Sequence, residues 1–182
     1  MRRVPSLHSF VENKSNMKKY SIRFGLYSAA LLTILFALTW GIWGTSLGYR
    51  TSEWIGYLSM LVALSLIFFG IRTYKNEQLD GRISFGSAFK MGALTALIPA
   101  LGFFLYTIVF FKVAGQEFTD YALENMPQEQ KEQMAGNMEL FLNPFFQGFI
   151  MFLTVFFIGL IIALISALLL GGKNKLKTEG GQ

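Results

Sequence analysis

Residues 71–92 read "IRTYKNEQLDGRISFGSAFKMG", a charged island between two long runs that carry no charge. Upstream, Trp54–Ile71 contains no Asp, Glu, Lys or Arg, and neither does Met91–Phe111 downstream. Phe24–Tyr49 and Leu140–Gly172 are two further charge-free segments. Each of the four can supply roughly the 20 apolar residues that cross a hydrocarbon core about 30 Å thick at about 1.5 Å per helical residue. The island therefore reads as the turn between two membrane-crossing helices, not as the active loop of a soluble enzyme.

Composition agrees, because 53% of the 182 residues are hydrophobic and 15% charged, against about a quarter charged in soluble domains. As the interior of a soluble protein, the four segments would leave too few polar residues to coat them. Barrel strands alternate faces, and "LLTILFAL" and "IGLIIALISALLL" do not alternate. The expected fold is all-α, an integral membrane four-helix bundle over residues 21–172 with helices at about 26–44, 55–71, 91–111 and 145–170. Residues 1–20 are expected to form a mobile tail, with Met17 as an alternative start, and 173–182 a basic tail. The run "MKKYSIRFGLYSAALLTILFAL" resembles a secretory signal, but it continues into "TWGIWG" without a small-residue cleavage site, so it reads as an uncleaved first helix.

Basic residues orient the bundle. Arg2, Arg3, Lys14, Lys18, Lys19 and Arg23 precede the first helix, and Arg72, Lys75, Arg82 and Lys90 lie in the island. With Lys173, Lys175 and Lys177 in the tail, 13 of 16 fall on one side, leaving Arg50, Lys112 and Lys131 for the other. Both termini are expected to be cytoplasmic in a multi-pass protein of the cell inner membrane. Trp40, Trp43 and Trp54 then mark the opposite interface. Basic residues at three separate membrane flanks make no nucleic-acid groove. Arg72, Lys75, Arg82 and Lys90 are expected to contact anionic lipid head groups. Within the island, Asp80 and Gly81 supply a turn, Ser84 caps an interfacial segment, and Phe85 and Phe89 share its lipid-facing side.

Small residues mark the expected packing faces, since helices in lipid associate where backbones can approach. The first helix carries Gly25, Ala29, Thr33, Ala37, Gly41 and Thr45 at four-residue spacing. The third carries Ser84, Ala88, Gly92, Ala96 and Ala100, and the fourth Gly159, Ala163, Ala167 and Gly171. These stripes read as seams within the bundle, the alternative being the seam of a homo-oligomer or a contact with another membrane protein. Pro99 is expected to kink the third helix by removing the bond to the Thr95 carbonyl.

Candidate chemistry is sparse. The single histidine is His8, cysteine is absent, and no metalloprotease or serine-hydrolase motif occurs. No enzymatic activity, cofactor or metal is expected. The membrane-crossing cores hold no ionisable residue of the kind that proton or ion coupling needs. Their Thr33, Thr39, Ser59, Ser65, Thr95, Thr107, Thr154 and Ser166 are each able to bond their own helix. The loop at 112–144 carries Glu117, Asp120, Glu124, Glu129, Glu132 and Glu139. Their spacing fits no Ca²⁺ loop. A short amphipathic helix from Pro127 to about Met138 is expected there, before Asn143 and Pro144 open the last helix. The function these features favour is a scaffold or accessory subunit, with a small permease or channel component as the alternative.

The island, the proline-bearing third helix, the acidic loop and the closing "NPFFQGFIMFLTVFFIGLIIALISALLL" together resemble DUF4199, a family of small bacterial inner-membrane proteins of unknown function. The resemblance spans about Met17–Lys177. It is most specific at Arg72, Gly81, Ile83, Ser84, Phe85, Ala88, Phe89 and Gly92. It implies the architecture and supplies no catalytic residue.

Overall fold

The computed structural model describes residues 7–43, 49–125 and 127–172. Arg2, Arg3, Lys173, Lys175 and Lys177 lie outside them, as do the surroundings of Trp40, Gly41 and Trp43. The elements in order are α1 Leu7–Trp43, α2 Tyr49–Leu64, α3 Leu66–Gln78, α4 Phe85–Asn125, α5 Gln128–Ala135, α6 Met138–Leu142 and α7 Pro144–Leu170. Among the described residues, four helical stretches are long and apolar enough to cross a membrane: Ser15–Thr39, Thr51–Gln78, Phe85–Asn125 and Pro144–Leu170. The second combines α2 and α3, which part only at Ser65. Its Oγ turns back to donate to the Val62 carbonyl at 2.7 Å, a side-chain bond that locally competes with the helix ladder.

Caps set the helix starts. Asn143 Oδ1 accepts from the amides of Phe145 at 2.9 Å and Phe146 at 3.2 Å, and Pro144 needs no partner in the first turn. Ser84 Oγ accepts from the Ser87 amide at 3.3 Å and so caps α4. Between α3 and α4 the chain reverses through Asp80 at φ 46° and Gly81 at φ 74°, both left-handed. The Gly81 amide closes the turn onto the Lys75 carbonyl at 3.0 Å. This turn marks the hairpin end of the bundle, and the opposite end, which holds α5 and α6, is the loop end.

Several boundaries differ from the sequence reading because helix geometry does not end where hydropathy does; the second span, expected at 55–71, runs Thr51–Gln78. Helix α1 begins at Leu7, inside the expected tail, and Met17 is buried. Beside Met17, Asn16 Nδ2 donates to Gln78 Oε1 at 2.8 Å, and the Tyr20 hydroxyl donates to Glu77, joining α1 to α3. Helix α4 runs for 41 residues and continues through Lys112 to Asn125, replacing the first part of the expected loop. Gly115, Thr119 and Ala122 are buried along that extension, while Lys112, Glu117, Asp120 and Glu124 are exposed on its other side. No separate interfacial segment precedes α4, which starts at Phe85 itself; Phe89 packs partly against the core instead of facing lipid.

The spans close into a ring in which α1 touches α2–α3, α3 touches α7, α7 packs along α4, and α4 returns to α1. Along the α4–α7 join small side chains point inward and large ones outward, while Leu32, Leu64, Ile67 and Ile71 fill the interior elsewhere. On α7, Ala167 is 0% exposed while its neighbour Leu168 is 66% exposed, the distribution of a bundle solvated by lipid.

Candidate functional site: a sealed seam and an aromatic cavity

At the hairpin end, α4 and α7 approach through small residues. A Cβ built on Gly92 would lie 2.6 Å from Ala163 Cβ, and one on Gly159 would lie 2.7 Å from Ala96 Cβ. Ala88 and Ala167 continue the two stripes and are fully buried. Ile71 and Ile67 of α3 cover this seam, their Cδ1 atoms 3.1 and 3.6 Å from the same two glycine positions.

On α1 the four-residue stripe does not hold one face. Each four-residue step overshoots a turn by about 40°, so Gly25 is buried, Ala29 and Thr33 are half-buried, and Ala37 is exposed. The observed buried line is Met17, Ser21, Gly25, Ser28 and Leu32, in which one step of three among steps of four brings the line back to the same face. Gly25 meets Ile98 and the Thr95 carbonyl, the latter 3.1 Å from its built Cβ, and Gly102 meets Ala29. That Thr95 carbonyl is the group Pro99 deprives of its helix partner. A glycine hydrogen points at it from α1, a weak C–H···O approach that a larger residue would block. The Thr95 hydroxyl goes elsewhere, to the Met91 carbonyl at 2.8 Å. Helix α4 is unbroken through Pro99, which is fully buried.

Of the four island cations, Arg72, Arg82 and Lys90 are exposed at the hairpin end. Lys75 is half-buried, and its Nζ donates to the Leu170 carbonyl at 3.0 Å, at the C-terminus of α7. A cation there opposes the negative end of the helix dipole and partners an orphan carbonyl. The Gly172 amide donates to the Ile83 carbonyl at 2.9 Å, so the turn and the end of α7 are tied by two further groups.

The loop end is built differently. A cavity of about 480 Å³ lies among α1, α2, α4 and α7, within the range of small-molecule sites. A chain of rings lines it. Phe36 and Phe103 stand 4.6 Å apart edge to face, Phe103 and Tyr106 stack at 5.4 Å, and Tyr106 and Phe110 at 6.0 Å. Phe118 meets both Phe110 and Phe111, at 5.7 and 5.8 Å. Positions 103, 106 and 110 follow the helical repeat, so α4 presents one continuous aromatic edge.

The three threonine hydroxyls of the cavity are left as acceptors, beside the Tyr57, Tyr106 and Gln147 side chains in the same lining. Thr39, Thr107 and Thr154 each commit their hydroxyl hydrogen to their own helix, at Leu35 (2.7 Å), Phe103 (2.8 Å) and Ile150 (2.9 Å). Only their oxygen lone pairs remain for a guest. Ser52 Oγ is buried without a hydrogen-bond partner among the described residues. Glu53 is the single charged residue in the described lining, and no Lys, Arg or His joins it there. The lining also bridges two environments, since Phe103 and Thr154 belong to apolar segments while Phe118 and Tyr121 belong to the polar extension of α4. Sequence reading missed this cavity. Its one advance signal was the spacing of Phe103, Tyr106 and Phe110.

The fold and its lipid-facing surface define a multi-pass helical membrane protein. The family model for protein of unknown function (DUF4199) matches residues 19–171, and the chain belongs to that family. No curated protein and no solved structure matches the chain.

Proposed function

We propose that the chain is a non-enzymatic accessory or scaffold subunit of the bacterial inner membrane, with both termini cytoplasmic. The orientation rests on the 13 of 16 basic residues at the hairpin end and the termini, and the membrane assignment on the four apolar spans. The observation that carries the functional reading is the seal beneath the cavity. The buried residues of the hairpin half are alanines, glycines, aliphatics, Met17, Met91, Pro99, hydroxyls and Tyr74, with no Asp, Glu, Lys, Arg or His among those described. Its hydroxyls are spent on backbone: Ser28 donates across to the Ala63 carbonyl at 2.8 Å, and Ser166 to Ile162 at 2.6 Å. Such an interior offers an ion no charged partner. Arg72, Arg82 and Lys90 remain available to anionic head groups.

The second reading, a small permease or channel component, draws on the cavity itself, which reaches Phe103 one turn beyond Pro99. Purification in mild detergent, followed by reconstitution into liposomes, separates the two. The accessory reading expects a stoichiometric membrane-protein partner and no ion or solute flux from the isolated chain. A lone oligomer that conducts reverses the order. Reporter fusions after Gln182 and within 128–137 are expected to be active in the cytoplasm and outside it respectively; activity of both on one side contradicts the orientation.

A further inference from the structure

We propose that the loop-end cavity binds a lipophilic organic cation, an ammonium carried on an apolar body, with its charge near Glu53 and its body among the rings. The assignment holds for an accessory subunit and for a permease component alike, because it concerns what the cavity recognises and not the use to which binding is put. Three features select charge of this sign. Glu53 is the one full charge in the described lining. Phe103, Tyr106 and Phe110 stack with their centroids offset, at 5.4 and 6.0 Å, and the parts of the Tyr106 and Phe110 faces that the stack leaves uncovered carry the negative lobe of the aromatic quadrupole. The threonine oxygens are acceptors because their hydrogens already belong to the helix.

Competing guests fit less well. An anion would face a carboxylate and π-faces with no basic partner in the described lining. An inorganic cation would have to exchange its hydration shell for a wall of hydrocarbon, whereas Ca²⁺ takes about six to eight oxygens. A neutral chain would fill the apolar volume and leave Glu53 unused. A weakly hydrated ammonium attached to an apolar body satisfies both halves of the lining. The position of the cavity agrees, since its walls pass from the apolar core of α4 to the polar extension that holds Phe118 and Tyr121.

The test titrates the full chain, in a maltoside detergent that carries no ammonium, with benzyltrimethylammonium and with neopentylbenzene, its neutral isostere. Isothermal calorimetry is expected to show saturable binding of the cation, about tenfold tighter than the isostere. Exposed Glu53 tolerates Glu53→Gln, which is expected to weaken the cation about three- to fivefold and leave the isostere unchanged. Tyr106→Leu is expected to narrow the ratio between the two ligands further. Phosphocholine, which bears the same trimethylammonium beside a phosphate, is expected to bind more weakly than benzyltrimethylammonium. Absence of saturable cation binding overturns the proposal, as does an isostere that binds equally well. An unchanged ratio in Glu53→Gln does the same, and tighter phosphocholine binding would reassign the cavity to a lipid head group.

Discussion

The two ends of the bundle are built on the same pair of long helices and come out opposite in character. At the hairpin end, α4 offers Ala88, Gly92 and Ala96 to the small residues of α7, and α3 lays Ile67 and Ile71 across the join. At the loop end, α4 and α7 still touch, with a built Cβ on Gly148 lying 3.1 Å from Ile108 and Phe104 side-chain atoms. There, however, α4 turns Phe103, Tyr106 and Phe110 toward α2, and α2 answers with Gly56, Tyr57 and Met60 around open volume. Side-chain size on one face of α4 thus decides whether a neighbour closes down or stands off. In lipid, where apolar burial drives association only weakly, that steric term counts for more than in water.

Leucine substitution at one glycine from each end probes this contrast directly. Gly92→Leu places its Cβ against Ala163 and must push α4 from α7, at a cost of about 1–3 kcal/mol. The melting temperature in detergent is expected to fall clearly; an unchanged value would mean the seam is not closed. A smaller loss is expected from Lys75→Met, which removes the partner of the Leu170 carbonyl and the charge facing the α7 dipole, about 1 kcal/mol. Hydrogen exchange reads it locally, as faster exchange in the last turn of α7. Equal protection in both proteins would assign the end of α7 to the Gly172–Ile83 bond alone. The smallest effect belongs to Gly56→Leu. Its Cβ would meet only Phe36 Cζ at 3.5 Å, an ordinary contact, and the rest of the side chain enters the cavity. Stability is expected within about 0.5 kcal/mol of the parent, because the loss of a helical glycine offsets any crowding. A large destabilisation would mean the cavity is tightly filled.

What was legible in the chain was what a single helix states about itself. Four charge-free runs became four spans, Asp80 and Gly81 made the turn, and Ser84 and Asn143 capped their helices. Thr39, Thr95, Thr107 and Thr154 bonded their own backbones, as residues with no polar neighbour in lipid do. What was hidden depended on more than one helix. Which part of the drifting α1 stripe is buried is a matter of which neighbours lie around it, and the role of Lys75 depends on where α7 ends. The extension of α4 was obscured by its first charge, Lys112, which ends a hydropathy run without ending a helix. The cavity needed all four spans in place, since Phe36, Met60, Phe103 and Thr154 are remote in sequence.

The absence of native cysteine allows the contrast to be measured in the membrane. Single cysteines at Thr154, in the cavity, and Ala163, in the seam, can be exposed in intact cells to a membrane-impermeant trimethylammonium thiosulfonate. Thr154→Cys is expected to react readily from outside, with protection by benzyltrimethylammonium, while Ala163→Cys, at a position with no accessible surface, stays unmodified until the protein is denatured. Comparable labelling at both positions, or labelling of Ala163→Cys alone, would contradict a bundle sealed at one end and open at the other.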